Sequence, residues 1–318
     1  MKMDTTDKHL LYLLDQNARM SLTKLGSELQ ISRESVNYRI KKLQRNKIIK
    51  TFVTKLNFDR LGLINYVVYL KLNNLHAKEY EKLVTELSEK KYIVWLASIG
   101  GKFDLVLEIA AASLAEFDGH YSELIHKHSN QIGSCYVSIR VSQHTFGKKY
   151  LWPERTTSQE VKSETALVKI DDIDRKLITA MTENARLSVM EIGNRTKIPP
   201  STVAFRLKQL ERSGIIDGYF VFSKLNDYGY SRYKCLVTVR NFSKQDEEKL
   251  LKFCRTHEDI YYYAKTLVNW NFEIEVDVKT PMEYQQFLIE FRNNFNEMIQ
   301  DTESLSIFEE HKFKFWPY

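Results

Sequence analysis

The sequence predicts an α+β fold that occurs twice in one chain, and three observations carry that reading. First, the chain matches itself at a constant offset of 167 residues: Asp4 and Asp7 with Asp171 and Asp174, Asn17-Ala18-Arg19 with Asn184-Ala185-Arg186, Ile48-Ile49 with Ile215-Ile216, and Gly62 with Gly229. A repeat of this length is a domain pair, too long for a solenoid unit. Second, each copy opens with three short stretches of helical apolar spacing. Third, each then alternates strand-like and helix-like stretches in the order strand, helix, strand, strand, helix, strand, which is the ferredoxin-like plan.

Taken in order, Asp4 is placed to cap a first helix whose stripe is Leu10, Leu11 and Leu14. Ser21 begins a second, with Leu22, Leu25 and Leu29 inward; its counterpart Ser188-Val189-Met190-Glu191 has capping-box spacing. A short break leads to a third helix from Ser32 to Arg45, buried through Val36, Ile40 and Leu43. Two helices joined by a tight break form a helix-turn-helix, and Ile48–Val53 would add a wing or hinge strand. The ferredoxin-like part reads as strands at 65–72, 93–99, 103–110 and 134–141 with helices at 78–88 and 113–126. Its second copy reads as 233–239, 244–255, 260–267, 272–278, 281–294 and 303–308, with two residues gained in the turn before Phe272. The domains are therefore winged helix-turn-helix 1–52, ferredoxin-like 53–152, linker 153–168, winged helix-turn-helix 169–220 and ferredoxin-like 221–318. The linker is polar, rich in Ser, Thr and Glu, and without periodicity.

Composition is that of a globular protein, 43% hydrophobic and 28% charged over 318 residues. No apolar run approaches membrane-spanning length and no signal-peptide hydrophobic region opens the chain, so no membrane partner is expected. Three cysteines, Cys135, Cys235 and Cys254, form no C-x-x-C pair, which points to the reduced cytoplasm. The net charge of +6 is unevenly spread: residues 1–52 carry eleven Lys/Arg against five Asp/Glu, whereas residues 221–318 carry thirteen against sixteen. The positive excess lies with the first helix-turn-helix, which favours a polyanion there.

The third helix concentrates the chemistry. Arg33, Glu34, Ser35, Asn37, Tyr38, Lys41, Lys42 and Arg45 lie off its apolar stripe and offer donors, a ring and positive charge to a DNA major groove. The corresponding set in the second copy is Ser201, Thr202, Ala204, Phe205, Lys208 and Arg212. A solvated surface helix is the plain alternative for the Ser32–Arg45 stretch. Tyr38 and Phe205, at one matching position, would touch a thymine methyl if exposed or pack under the wing if not. Arg39 and Arg206 fall beside the stripe, where a partly buried structural role is expected. Arg19 and Arg186 suit either a phosphate contact or an ion pair with a first-helix carboxylate.

Asp4-x-x-Asp7, Asn17-Ala18-Arg19-x-Ser21, the Ser32–Leu43 helix ending in Ile48-Ile49, and Leu61-Gly62 resemble the Lrp/AsnC (leucine-responsive, feast/famine) transcription regulators, here in a tandem duplicated form. The resemblance covers both copies and excludes the linker. It implies an N-terminal winged helix-turn-helix that binds double-stranded DNA and a C-terminal domain that dimerises and senses an amino acid or other small effector. With two copies in one chain, the sheet-to-sheet pair would form within it as a pseudo-dimer, with further oligomerisation left open. The turn Gly100-Gly101-Lys102 with Asp104 resembles the family's effector region. The other reading of that turn is simple chain reversal, for which Gly supplies positive φ.

The copies depart from the pattern differently. The glycine ending the recognition helix is kept as Gly214 but replaced by Lys47; the capping Ser32 becomes Pro199; and the second turn reads Asn269-Trp270-Asn271-Phe272-Glu273. Unlike recognition faces predict half-sites of unlike sequence and a non-palindromic operator.

No P-loop, nucleophile elbow or dinucleotide glycine pattern is present, and no cofactor is expected. His120, His126 and His128 cluster without metal-ligand spacing. Trp152-Pro153 and Trp316-Pro317 read as packing anchors that end the copies. The sequence thus reads as a sequence-specific DNA-binding transcription regulator and not an enzyme. The alternative is a tetrapyrrole enzyme similar to the siroheme decarboxylases, which share a two-half architecture. Against it, Asn65-Tyr66-Val67-Val68 and Arg232-Tyr233-Lys234-Cys235 stand where those enzymes carry His/Arg-rich strand entries.

Overall fold

The computed structural model describes residues 3–153, 166–240 and 242–318; the linker reading therefore lies largely outside the described residues. The chain contacts divide it into two units that do not follow chain order. Among the described residues, one gathers 3–63, 166–225 and 313–318, and the other 64–153, 226–240 and 242–312. Like domains of the two copies are thus grouped together.

The first unit contains two three-helix heads. Helices α1 (Thr5–Gln16), α2 (Leu22–Leu29) and α3 (Arg33–Arg45) form one, and α7 (Asp172–Glu183), α8 (Val189–Thr196) and α9 (Pro200–Arg212) the other. Local chemistry sets their starts: Asp4, Ser21 and Ser32 accept the N–H groups of Asp7, Lys24 and Ser35, and Asp171 and Ser188 do the same for Asp174 and Glu191. Pro199 makes no side-chain cap, and Pro200 fills the first turn, where a missing N–H costs nothing. Leu10, Leu11, Leu14, Leu25, Val36 and Leu43 are buried in one head, and Leu177, Ile178, Met181, Ile192, Val203 and Leu210 in the other.

After each head comes a strand, β1 (Ile49–Leu56) and β6 (Ile216–Ser223). These pair with each other, antiparallel, as a two-stranded sheet, with Val53 opposite Phe220. Since 220 is the repeat partner of 53, a local two-fold axis runs through this pair. The strand expected as a wing or hinge is therefore a seam between copies, and its edge is used in that pairing.

The second unit is a closed eight-stranded barrel. Strands β2 (Ile64–Leu72), β3 (Ile93–Gly100), β4 (Leu105–Ala111) and β5 (Ile132–Thr145) come from the first copy, and β7 (Ser231–Val239), β8 (Ile260–Leu267), β9 (Phe272–Val278) and β10 (Ile299–Phe313) from the second. Their order is β10-β3-β4-β2-β5-β8-β9-β7. Each half is a ferredoxin-like sheet, and the halves join where β5 pairs with β8 and β10 closes on β3. Helices α5 (Ala77–Glu89) and α6 (Leu114–Lys127) cover one sheet through Leu83, Leu87, Phe117 and Leu124; α10 (Lys244–Thr256) and α11 (Pro281–Phe295) cover the other through Leu250, Phe287 and Phe291. A single helical turn, α4 (Phe58–Leu61), capped by Asn57, was not anticipated; β5 and β10 also run several residues beyond their expected ends.

The opposite faces of the strands turn into the barrel and carry charge. Lys234 Nζ lies 2.8 Å from Glu273 and 3.0 Å from Glu275, all three buried. Arg232 holds Asp277 in a bidentate contact at 2.6 and 2.8 Å, and Arg140 pairs with Glu108. Burial pulls the Lys234 ammonium down, but the two carboxylates more than offset it and its pKa lies above the ordinary lysine value. Tyr69 Oη and Trp270 Nε1 both donate to Glu273, at 2.8 and 3.1 Å, so its oxygens are shared among three donors. This satisfaction is what permits charge at a depth where an unpaired carboxylate would not ionise.

Four left-handed backbone positions recur at the repeat offset: Gln30 with Lys197 (φ 55° and 61°), Lys47 with Gly214 (58° and 70°), Gly62 with Gly229 (70° and 85°), and Gly101 with Val268 (117° and 95°). The last pair corrects the expectation of two inserted residues near Phe272. The register is unbroken, because β4 begins at Leu105 and β9 at Phe272, which are themselves repeat partners.

Candidate nucleic-acid interface

Helix α3 meets its head through Val36, Ile40 and Leu43 and presents the opposite face outward. At 3.6 residues per turn that face is centred on Tyr38, Arg45, Glu34 and Lys41. Tyr38 is 61% exposed, and its repeat partner Phe205 in α9 is 60% exposed. Neither packs under a wing, since the strand that would supply one pairs across the seam. Lys41, Arg45, Lys208 and Arg212 are exposed and make no ion pair among the described residues; Arg33, Glu34 and Ser201 are exposed as well. Asn37, Thr202 and Ala204 flank the exposed face at intermediate burial.

Two of the expected contact residues are engaged locally. The Ser35 N–H donates to Ser32 Oγ at 3.1 Å and its hydroxyl accepts from Ser32 at 3.0 Å, so Ser35 is part of the cap. Lys42 turns back to Asp7, Nζ to Oδ2 3.4 Å. Arg39 lies 2.7 Å from Asp4 and 2.6 Å from Asp7, clamping α3 to the start of α1. Arg206 repeats the clamp with Asp171 at 2.8 Å and Asp174 at 3.4 Å. Burial works against the Asp4 anion, but the Arg39 hydrogen bond and charge hold its carboxyl below the ordinary value. For Asp171 the dominant cause of a lowered pKa is the Asp174 N–H, helped by Arg206. Asp174 goes the other way: burial, with Asp171 adjacent, raises it.

Arg19 and Arg186 do neither of the things expected of them. Arg19 Nη1 donates to the carbonyls of Ala185 and Leu187, and Arg186 Nη1 to those of Ala18 and Met20. Each guanidinium thus reaches from its own head into the other. The repeated Asn-Ala-Arg motif arranges this: Asn17 and Asn184 accept the N–H of Arg19 and Arg186 at 2.9 Å. Buried Ala18 and Ala185 donate to Tyr219 O at 2.9 Å and Phe52 O at 2.8 Å, across the seam. Arg19 lies 5.3 Å from the Tyr219 ring centroid, and Arg186 5.4 Å from that of Phe52. Neither arginine has a carboxylate partner among the described residues; burial, then Arg19, lowers the Arg186 pKa. The sequence signal was the match itself, but nothing in one copy shows that the partner is its twin.

In the other unit, the Gly100–Asp104 turn is built by close approach. A Cβ on Gly100 would stand 2.5 Å from the Phe308 ring, and one on Gly101 would stand 3.0 Å from Ser304 O and 3.1 Å from Leu305. Asp104 accepts the Leu72 N–H at 2.7 Å and the Lys71 ammonium at 3.1 Å. Its repeat partner Asn271 accepts the Val239 N–H at 2.8 Å, preserving the same backbone bond without the charge. Lys102 lies 4.8 Å from the Tyr136 ring centroid. Beside the turn, Lys71, Asn73, Tyr80 and Asp104 line an open pocket of about 380 Å³.

The remaining candidates are dispersed. His120 stacks on Tyr92 and His128 bonds to Gln131 at 2.7 Å. No group of three or more His, Cys, Asp or Glu side chains is placed to hold a metal among the described residues. Trp316 is buried, its Nε1 donating to Thr179 Oγ1 at 3.0 Å, while Trp152 is only partly buried. No helix of the described residues is long and apolar enough to cross a membrane.

Residues 3–44 match the AsnC-type helix-turn-helix domain, and residues 170–217 match a winged helix-turn-helix DNA-binding domain. Over 115 residues the chain is 30% identical to an uncharacterized HTH-type transcriptional regulator of Pyrococcus furiosus, covering 36% of this chain and 77% of that protein. The chain belongs to the Lrp/AsnC family. The proline dehydrogenase transcriptional activator of Rhodobacter capsulatus is also 30% identical, over 36% of this chain and 75% of its own. Regulatory protein AsnC of Haemophilus influenzae is 27% identical over 43% of this chain and 89% of its own length. Each such relative is matched over most of itself but less than half of this chain, as a tandem Lrp/AsnC form requires. Among solved structures, the siroheme decarboxylase NirDL aligns over 99% of this chain and 94% of that one, with a TM-score of 0.61 and 11% identity. That is a likeness of fold alone.

Proposed function

We propose that this Lrp/AsnC chain is a sequence-specific, non-enzymatic DNA-binding regulator of the cytoplasm, working as an intrachain pseudo-dimer that offers α3 and α9 together to one duplex. One observation carries the reading. The same outward face recurs on both helices, with an exposed ring (Tyr38, Phe205) flanked by two exposed cations without ion-pair partners (Lys41 and Arg45, Lys208 and Arg212). Phosphate contacts from these cations supply affinity, and the residues that differ between the helices supply selectivity. The β1–β6 seam and the crossed arginines tie the heads together, so the spacing of the half-sites is fixed. An operator with half a helical turn inserted between half-sites loses the second contact.

The test is binding of the full chain to duplex DNA at several salt concentrations. Four neutralised phosphates give a slope of roughly −3.6 in log K against log salt. Retention that ignores salt refutes the reading. The fold of NirDL favours a second reading, a tetrapyrrole enzyme, and reconstitution with an iron tetrapyrrole followed by a visible spectrum tests it. Against that reading, Arg140, Arg232 and Lys234 are already paired with carboxylates inside the barrel. Sensing of a small effector attaches to the Gly100–Asp104 turn. Calorimetric titration with the common amino acids decides between a ligand and a turn shaped only for chain reversal.

A further inference from the structure

The repeat offset superimposes the two recognition faces residue by residue. At the centre they agree: Tyr38 with Phe205, Lys41 with Lys208, Arg45 with Arg212. They part company in the first turns, where α3 has Arg33, Glu34 and Asn37 and α9 has Pro200, Ser201 and Ala204. Asn37 is the sharpest of these differences. It sits one turn from the exposed cap of α3, flanking the outward face, and its amide makes no hydrogen bond among the described residues. An asparagine so placed can donate to adenine N7 and accept from N6, a bidentate pairing no other base matches. Ala204 can do neither; a methyl at that place instead suits the thymine C5-methyl, with Phe205 beside it.

We infer that Asn37 and Ala204 give the complex a direction: the half-site under α3 presents adenine, and the matched position under α9 presents thymine. The shared cations and rings hold both helices to the duplex alike, while this pair decides which head takes which half. The inference rests on the regulator reading above and adds an orientation to it. A regulator that docks in one direction can place its other surfaces on a defined side of the operator, which a symmetric dimer cannot do.

The test is selection of bound duplexes from a random double-stranded pool by the full chain, for the wild type, Asn37→Ala and Ala204→Asn. The wild type is expected to enrich an asymmetric motif with adenine in one half and thymine at the matched position of the other. N37A is expected to lose the adenine preference, with about a tenfold drop in affinity for the wild-type site, leaving the thymine half unchanged. A204N is expected to turn thymine into adenine in the other half, making that position of the two half-sites symmetric. A symmetric wild-type motif overturns the inference, as does a motif that neither variant alters. Enrichment of no sequence at all refutes the regulator reading instead. The two variants lie on separate helices, so a folding defect in one, visible in its thermal melt, leaves the other to decide.

Discussion

Replacing Arg19 and Arg186 by Met, singly and together, tests whether the crossed arginines hold the two heads as one body. Each guanidinium donates to two carbonyls of the opposite head and lies over an aromatic ring. Hydrogen bonds from a charged donor contribute about 1.5–3 kcal/mol each, net of exchange with water, and a partly exposed cation–π contact about 0.5 kcal/mol. Against this stand partial desolvation, the larger cause of the lowered Arg186 pKa, and the repulsion between the two like charges. Water also reaches the freed carbonyls of a variant. The net cost of one substitution is then about 2 kcal/mol. Removing the first arginine relieves the repulsion, and removing the second brings no further relief. The double variant must therefore cost more than the two singles combined, by the repulsion itself, on the order of 1 kcal/mol. Hydrogen exchange of the Ala18 and Ala185 amides reads the seam directly, because both bond across it. A loss of 2 kcal/mol speeds local opening by about thirtyfold. Singles that leave these amides as slow as in the wild type, or a double variant milder than the combined singles, would refute the staple.

Other outcomes follow from single features. Lys41→Ala or Arg45→Ala is expected to flatten the salt dependence of DNA binding by about one in slope without moving the thermal melt. Val268→Gly is expected to stabilise the chain by about 1 kcal/mol, since a β-branched residue at φ 95° is strained where its twin Gly101 is not; urea denaturation checks it. Gly101→Ala is expected to destabilise, because its Cβ would meet Ser304 O and Leu305 and its φ is 117°. Asp259 supplies a pH test. Burial, with Glu258, Glu283 and Asp277 nearby, raises its pKa from 3.8 to about 6. The folded chain therefore holds that proton more tightly, so this group's contribution to stability falls as pH rises from about 4 to 6 and stays low above it. Asp259→Asn is expected to abolish that decline and raise stability at pH 7 by about 2 kcal/mol, read from denaturation midpoints at pH 4 and 7.

Much of the fold was legible because its determinants are local or repeated. Caps at Asp4, Ser21 and Ser32, the stripe Val36-Ile40-Leu43, and strand alternation in the sheets are short-range signals, and the repeat doubled each one. The exposed rings and cations of α3 and α9 follow from the same periodicity, since fixing the buried face fixes the opposite one. What stayed hidden lies between copies. Arg19 could be read as facing phosphate or a nearby carboxylate, because its partners are backbone carbonyls more than 160 residues away. The strand at Ile49 looked like a wing because its pairing partner belongs to the other copy. The Gly101–Val268 equivalence was obscured by a valine in a conformation that side chains rarely adopt; only the backbone reveals it. The carboxylates of β9 alternate with Phe272, Ile274, Val276 and Val278 as a solvent-facing edge would, yet they point into a barrel that only the second sheet closes.

The antiparallel match of Ile49–Leu56 with Ile216–Ser223 bears on how such a molecule behaves when scarce. A reader assembled from two separate chains falls apart on dilution, and its presence at a promoter then climbs with the square of its abundance. If the chain reads DNA as proposed, the partner is always on the same polypeptide, and presence at a promoter would climb in simple proportion to abundance.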